Sequence, residues 1–340
     1  MPPVLSYADA LAETESGKRH ILLANGFSIA CRPDIFQYRK LFEQADFTKL
    51  PRANAVFAAL ATNDFERVIR ALRDFAALAG VYYPNGAGGQ RKAEQDAAAL
   101  REVLVRTIAD SHPARPADIQ EKEYRCARAF LSEFERIYTL NYDLLLYWAL
   151  MQRELEPEVR CDDGFRKPED EPDASYVTWE PGNTYSQNVY YLHGALHLFD
   201  AGVELQKFTW LHTGVALIDQ IREAMTDNKF PIFVSEGTTA DKYARIRHND
   251  YLAKAYRSFL QIGGVLFVYG HGMGANDEHI LRAIEHNKVS RLYVSLHGDP
   301  TSATNKQIIR RASAMPGHRR GKHRLEVRFF DAETAPIWKA

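Results

Sequence analysis

In the second half of the chain, short apolar runs alternate with segments of helical spacing, and this alternation restricts the fold more than any other feature. The apolar runs are VYYLHGALHLF, FPIFVSEG, GVLFVYGHG, RLYVSLHG and RLEVRFF. The helical segments between them are VALIDQIREAM, DYLAKAYRSFLQI, DEHILRAIEHN and NKQIIRRASAM. Apolar strands that alternate with helices are typical of a mostly parallel sheet covered by helices on both faces. We therefore predict an α/β fold.

The first half of the chain contributes two further strands, in RHILLANG and IYTLNYD, on either side of helical sequence. Apolar residues recur at helical intervals in the segments 53–79, 91–109 and 119–136. We predict that residues 50–136 form a helical insertion after the first strand, within a single domain of residues 1–340. Residues 156–188 are rich in Pro, Gly and acidic residues and are predicted to form a long loop.

Charge and cysteine content exclude several classes of protein. The 43 basic and 44 acidic residues leave a formal net charge of −1, so no overall field attracts nucleic acid or an anionic membrane. The basic stretch GHRRGKHR lacks interleaved aromatic residues and is predicted to be a solvated loop. The three cysteines form no C-x-x-C pair, which argues against a disulfide framework and a four-cysteine zinc site.

No targeting or membrane segment is evident. The first twenty residues lack a basic region followed by an apolar one, and the apolar runs are far shorter than the ~20 residues of a membrane span. We predict a cytoplasmic protein.

Small or polar residues follow most of the predicted strands, at the edge where ligands bind in open parallel sheets. In chain order they are Asn25, Gly26, Phe27 and Ser28; Asn141, Tyr142 and Asp143; His193 and Gly194; Ser235, Glu236 and Gly237; and Gly270, Gly272, Asn276 and Asp277. A glycine after a strand lets the backbone approach a phosphate, and the next helix N-terminus offers amides to it.

Several of these residues have both a functional and a structural interpretation. The amide of Asn141 can orient a water or a ribose hydroxyl, or it can cap the helix that follows, as Asp143 also can. His193 is either a general base or a hydrogen-bonded core residue, and Asp277 is placed to cap the next helix. His279 and His286 fit no metal-binding motif, and we predict no metal.

Taken in order, four segments resemble the signature segments of the sirtuin-like superfamily. They are ANGFSIA, LNYDLLL, YLHG and YGHGMGANDEHI. They are most similar to the bacterial sirtuin-like branch, whose pattern is a glycine loop, T-N-Y-D, L-H-G and G-x-S-x-x-D. The stretch PIFVSEGTTADKYARIRHNDYLAKAYRSFL also resembles the segment before the last glycine loop of that branch.

The resemblance implies a Rossmann-like domain that binds NAD as its substrate. It implies that Asn141 and His193 are the catalytic residues, and it assigns two sets of residues to the cofactor. Gly26, Phe27 and Ser28 match the first dinucleotide loop, and Gly270, Gly272 and Asp277 match the late loop near the adenosine. Asn25, Asp143, Ser235 and Asn276 lie at the same strand ends and complete the predicted NAD-binding set.

The resemblance further implies cleavage of the nicotinamide–ribose bond of NAD, in an effector of anti-phage defence that depletes the cofactor. It implies a homo-oligomer or a defence-system partner. Two departures, Ala24-Asn25-Gly26 in the first loop and Gly272-Met273 in the late loop, motivate an alternative, an NAD or ADP-ribose sensor that acts through a partner protein. A protein deacylase is disfavoured because the paired C-x-x-C motifs of its structural zinc are absent.

Overall fold

The computed structural model shows two sheets and a set of helices that cover them. It describes residues 2–15, 17–82, 87–171, 173–183, 185–202, 204–210, 215–227, 229–234, 239–319 and 324–339. The helices are α1 (Tyr7–Ala12), α2 (Asn25–Cys31), α3 (Pro33–Phe36), α4 (Tyr38–Gln44), α5 (Pro51–Ala59), α6 (Phe65–Tyr82), α7 (Ala87–Ser111), α8 (Glu121–Ser132), α9 (Leu145–Met151), α10 (Leu217–Thr226), α11 (Thr239–His248), α12 (Asp250–Gln261), α13 (Glu278–His286) and α14 (Ala303–His318).

The larger sheet has seven strands within the described residues, and every neighbouring pair is parallel. In spatial order the strands are β1 (Val4–Leu5), β12 (Glu326–Asp331), β11 (Lys288–Leu296), β10 (Gly263–Tyr269), β2 (Arg19–Leu23), β3 (Arg136–Thr139) and β6 (Val189–Tyr191). Most positions of its central strands are buried, as expected when helices cover both faces. The α/β, Rossmann-like fold class is confirmed.

The sheet has a topological switch point between β2 and β10. From β2 the chain proceeds to β3 and β6 on one side, and then returns to β10, β11 and β12 on the other side. The strand in RHILLANG, predicted to be first, is in fact preceded by the two-residue edge strand β1.

A second, antiparallel sheet was not expected from the sequence. Its strands in spatial order are β4 (Phe165–Arg166), β5 (Tyr176–Trp179), β8 (Leu205–Phe208), β7 (Gly194–Asp200) and β9 (Pro231–Phe233). Two corrections follow. The 156–188 segment is not only a loop, since it supplies β4 and β5, and the strand in FPIFVSEG pairs with β7 rather than joining the parallel sheet.

The apolar run VYYLHGALHLF is divided between the two sheets at Gly194. This residue has φ +82°, and a Cβ there would lie 1.9 Å from the carbonyl oxygen of Ile232. Only glycine fits such a position, so it permits the chain to leave β6 and enter β7 immediately.

Between β2 and β3 the described residues form helices and loops only. The segment 53–79, whose apolar residues recur at helical intervals, is divided between α5 and α6, and Ala61 between them has φ +47°. The carboxylate of Asp64 accepts a hydrogen bond from the Arg67 N–H, as an N-cap does, and this favours a new helix start. No helix of the described residues is both long and apolar enough to cross a membrane.

Candidate functional site

A cavity of about 1250 Å³ lies at the carboxyl edge of the parallel sheet, around the switch point. Its walls come from the residues that follow β2, β3, β6, β10, β11 and β12, together with Glu66, Leu104 and Ile108 of the helices between β2 and β3. Open α/β sheets bind ligands in this crevice, and the volume exceeds the roughly 300–1,000 Å³ of pockets for drug-sized ligands. The cavity is therefore the candidate site.

Most of the predicted site residues meet at this cavity. Those that line it are Asn25, Gly26, Asn141, Asp143, His193, Gly270, Gly272, Asn276 and Asp277. Phe27 and Ser28, which were predicted to contact a dinucleotide, are buried and do not line the cavity. We expect them to support the cavity wall instead. Ser235 lies outside the described residues.

The two glycine loops contact each other directly. The Gly26 N–H donates to the Gly270 carbonyl over 3.1 Å, and a Cβ on Gly26 would lie 2.4 Å from the Gly270 Cα. Gly270 itself has φ +70°. Glycine at position 26 is thus required by the contact between the loops, and its N–H, expected to face a phosphate, already has a protein acceptor.

Gly272 and Gly274 differ from Gly26 in this respect. A Cβ at either position would meet no atom within 4 Å, although both glycines line the cavity. Between them, the buried Met273 has φ +51°, a conformation that is uncommon for a residue with a side chain. The His271 Nδ1 holds this turn by accepting the Met273 N–H over 3.0 Å.

A hydrogen-bonded chain of Asn141, Ser28 and Asp143 connects the ends of β2 and β3. The Asn141 Nδ2 donates to the Ser28 Oγ over 2.8 Å, and that hydroxyl donates to the Asp143 carboxylate over 2.5 Å. The other Asp143 oxygen accepts the Leu145 N–H at the start of α9, so Asp143, and not Asn141, binds the first backbone N–H of this helix. Burial raises the pKa of Asp143, although the bonds from Ser28 and Leu145 oppose that rise.

The Asn141 side chain is thereby oriented. Its NH₂ group is used by Ser28, while no hydrogen bond among the described residues uses its amide oxygen. Since Asn141 lines the cavity, that oxygen is the acceptor left to meet a ligand.

His193, at the end of β6, pairs with a second histidine. Its Nε2 lies 2.9 Å from the Nε2 of His279 on α13. Burial holds the pKa of His193 well below its ordinary value, and it lowers the pKa of His279 to about 4. Both rings are therefore neutral near pH 7.

Asp277 occupies the N-cap position of α13 as predicted, but its carboxylate makes no capping hydrogen bond and binds two other side chains instead. His271 donates to one oxygen over 3.1 Å, and the Lys242 ammonium lies 3.3 Å from the other. Burial by itself would raise the pKa of Asp277, but the His271 bond and the Lys242 charge hold it well below its ordinary value.

Lys242 also reaches the helices inserted between β2 and β3. This lysine is 1% exposed, and its ammonium lies 3.0 Å from a carboxylate oxygen of Glu66 on α6. Burial, opposed in part by the charge of Lys242, raises the pKa of Glu66 to about 7. The ion cluster of Glu66, Lys242 and Asp277 thus connects α6, α11 and the late glycine loop.

Sequence reasoning missed Glu66, Lys242, His271, His279 and Trp338. The Trp338 Nε1 donates to the Phe27 carbonyl over 2.9 Å, and the two rings lie 5.1 Å apart. None of the five was singled out by the pattern of its own segment. Glu66, Lys242, His279 and Trp338 acquire their places through contacts with residues distant in sequence, whereas His271 binds Met273 and Asp277 within its own loop.

One group of side chains has the composition of a metal site. Single ligand atoms of His193, Asp277 and His279 all lie within 4.8 Å of one another. Both oxygens of Asp277 are already engaged by His271 and Lys242, and the two histidines are within hydrogen-bond distance of each other.

The fold and the cavity define an α/β protein whose candidate ligand site lies at the switch point of a parallel sheet. The family model described as "Domain of unknown function (DUF4917)" matches residues 21–338, and the chain belongs to this family. No curated protein matches the chain significantly.

Proposed function

We propose that this protein hydrolyses the nicotinamide–ribose bond of NAD. The observation that carries the proposal is the meeting of Asn141 and His193 at one switch-point cavity, with the Asn141 amide oxygen unengaged and His193 neutral. A cavity of about 1250 Å³ has room for a dinucleotide. The resemblance of the strand-end motifs to the sirtuin-like branch supports NAD as the substrate.

The reaction adds water across the N-glycosidic bond, so that nicotinamide leaves and ADP-ribose and a proton are formed. Glycoside cleavage passes through an oxocarbenium-like ribose, which negative charge stabilises. Asp143 and Asp277 are the aspartates that line the cavity and can contribute negative charge, with the charge of Asp277 shared with Lys242. In this proposal Asn141 positions the attacking water or a ribose hydroxyl through its amide oxygen, and His193, which lines the same cavity, exchanges a hydrogen bond with either.

The test is nicotinamide release from NAD by the purified full-length protein. We expect Asn141→Ala and His193→Ala each to lower the rate by roughly 10²–10⁴-fold, the usual effect of losing a group that handles protons or orients the reacting atoms. Asn54→Ala and His248→Ala, at exposed positions on α5 and α11, are the matched controls and should keep the wild-type rate. Equal rates in all four variants would contradict the assignment.

Calorimetry separates hydrolysis from binding alone. For a hydrolase, we expect the protein to consume NAD and to bind ADP-ribose. Binding of both nucleotides without nicotinamide release, even at high protein concentration, would favour the sensor that acts through a partner.

In the cell, the proposal extends to NAD depletion as an anti-phage effector, in a homo-oligomer or with a defence-system partner. Expression during phage infection should then lower cellular NAD, and Asn141→Ala should abolish that fall. An unchanged NAD level during infection, with an active purified enzyme, would refute the defence role and leave the hydrolase intact.

A further inference from the structure

The contact between His193 and His279 restricts what His193 can do. Their Nε2 atoms are 2.9 Å apart, their rings are nearly parallel at 23°, and each residue is only 2% exposed. The backbone of His279 is also held in place, because its carbonyl accepts a hydrogen bond from the Tyr256 hydroxyl over 2.9 Å.

A single proton lies between the two rings. Both imidazoles are neutral, so each carries one N–H, and two N–H groups or two lone pairs cannot face each other at this distance. One ring therefore donates from Nε2, and the other accepts at Nε2 and carries its proton on Nδ1.

The surroundings of His279 decide which ring donates. Its Nδ1 is buried and has no hydrogen-bond partner among the described residues. A buried N–H without an acceptor is rarer in proteins than an under-satisfied acceptor, so the proton of His279 belongs on Nε2. His193 is then the acceptor at Nε2, and its own proton is on Nδ1.

We propose that His279 is a positioning residue that holds His193 as the Nδ1–H tautomer, so that His193 presents a hydrogen-bond donor, and not a basic lone pair, to the ligand in the cavity. His193 lines the cavity, and no hydrogen bond among the described residues uses its Nδ1. The groups of NAD that such a donor fits are oxygen acceptors, such as a ribose hydroxyl oxygen.

Only the identity of the ligand rests on the proposed NAD hydrolysis. The proton placement follows from the protein's own contacts, and it changes the role expected from sequence, in which His193 accepts a proton. In the resting protein its one lone pair, on Nε2, already accepts the His279 N–H.

A divalent metal ion is the competing use of the same atoms, since it would require both Nε2 lone pairs. Asp277, the third member of the group, has one oxygen bonded to His271 and the other paired with Lys242. The described contacts thus favour the shared proton.

The direct test is the tautomeric state of the histidines in the full-length protein labelled with ¹⁵N-histidine. Long-range ¹H–¹⁵N spectra at pH 7 distinguish Nδ1–H from Nε2–H rings, and single His193→Gln and His279→Gln variants assign the signals. We expect Nδ1–H for His193 and Nε2–H for His279. The reverse pattern would overturn the proposal, and so would one equivalent of copurified divalent metal that is lost from both variants.

The second test compares two substitutions of His279. His279→Gln keeps an N–H donor of similar reach, whereas His279→Leu removes it. We expect the Nδ1–H signal of His193 to persist with Gln and to give way to a mixture of tautomers with Leu. Nicotinamide release should fall by roughly 10–100-fold with Leu, as for other partners that orient a functional histidine, and should largely recover with Gln.

His286→Gln is the matched control, because His286 lies on the same helix α13 and is exposed. It should leave the His193 signal and the rate unchanged. If His193 keeps its tautomer in His279→Leu, the positioning role is refuted. If the tautomers behave as expected while wild-type protein releases no nicotinamide, the proposed hydrolysis fails and the placement of the proton stands.

Discussion

At Gly26 a single hydrogen atom in place of a side chain decides whether two loops can meet. The Gly26 N–H binds the Gly270 carbonyl, and the backbones approach so closely that a methyl group would overlap the Gly270 Cα. The same residue type at Gly272 faces open space within the cavity. We therefore predict that substitution by alanine affects stability differently at the two positions.

We expect Gly26→Ala to lower the free energy of unfolding by about 1–3 kcal/mol or more, because the backbones of both loops must shift to admit the methyl group. Gly272→Ala makes the same chemical change without a clash and should stay within about 0.5 kcal/mol of wild type. Chemical denaturation of the three proteins measures both values. Equal stability of the two variants would show that the loops do not meet as described.

Asn141 illustrates how far a residue can be understood from its sequence neighbours. Its position after a strand in LNYD predicted a place at the cavity, and the structure puts it there. Its orientation comes from Ser28, which was expected to contact the dinucleotide and instead lies behind the cavity wall. A strand end predicts a location, but only contacts between distant residues reveal which side chain supports which.

At the scale of elements, helix α6 is joined to the site through charge. Glu66 on α6 and Asp277 in the late loop both bind the ammonium of Lys242, which is enclosed on α11. The amphipathic pattern of α6 predicted a helix but said nothing of this ion cluster, because its three members come from separate parts of the chain.

Lys242→Met should therefore destabilise the fold strongly, by about 3–5 kcal/mol, since it leaves two enclosed carboxylates without their cation. Lys122→Met, an exposed lysine on α8, is the matched control and should change stability by no more than about 0.5 kcal/mol. The free energy of unfolding at pH 7.5 is the measurement. A Lys242→Met protein as stable as the control would mean that the cluster is not formed.

The second sheet shows where element prediction fails. Strands β4 and β5 contain two and four residues, and they lie in a segment rich in Pro, Gly and acidic residues. Strands this short have little periodicity of their own. They are recognised as strands only by their partners, because β4 pairs with β5 and β5 pairs with β8. Strand β9 was recognised as a strand, but alternation with helices could not reveal that its neighbour would be antiparallel.

For the whole molecule, buried histidines link stability to pH. Burial lowers the pKa of His20, His112 and His279 to about 4. His112 is a neutral link in the core: its Nε2 accepts the Leu144 N–H over 3.1 Å, and its Nδ1 lies 3.0 Å from the Pro113 carbonyl. In the unfolded chain these rings have an ordinary pKa near 6.5.

The free energy of unfolding should consequently be largest above pH 6.5 and should fall as the pH drops from 6.5 towards 4. In that window the unfolded state binds protons that the folded state does not bind. Each such histidine thereby lowers the free energy of unfolding by an amount on the order of 3 kcal/mol. Glu66 acts in the opposite sense, because its pKa is raised to about 7, and it offsets only part of the effect.

Denaturation at a series of pH values from 7.5 to 4.5 measures this slope, and His112→Gln should reduce it. His248→Gln, at an exposed position, is the control and should leave the slope unchanged. A free energy of unfolding that increases as the pH is lowered from 6.5 to 4.5 would contradict the buried, neutral state of these histidines.

The sequence by itself determined the α/β class, with a mostly parallel sheet covered by helices, and most of the strand ends that line its cavity. Both follow from local properties, since hydrophobic periodicity reports how each segment is buried and parallel strands bring their carboxyl ends to one edge. Only the tertiary structure decided that Gly26 needs its hydrogen because of Gly270, and that the proton between His193 and His279 restricts the chemistry of His193. These are contacts between residues far apart in the chain, and their energy depends on distance, burial and available partners, which no local pattern contains.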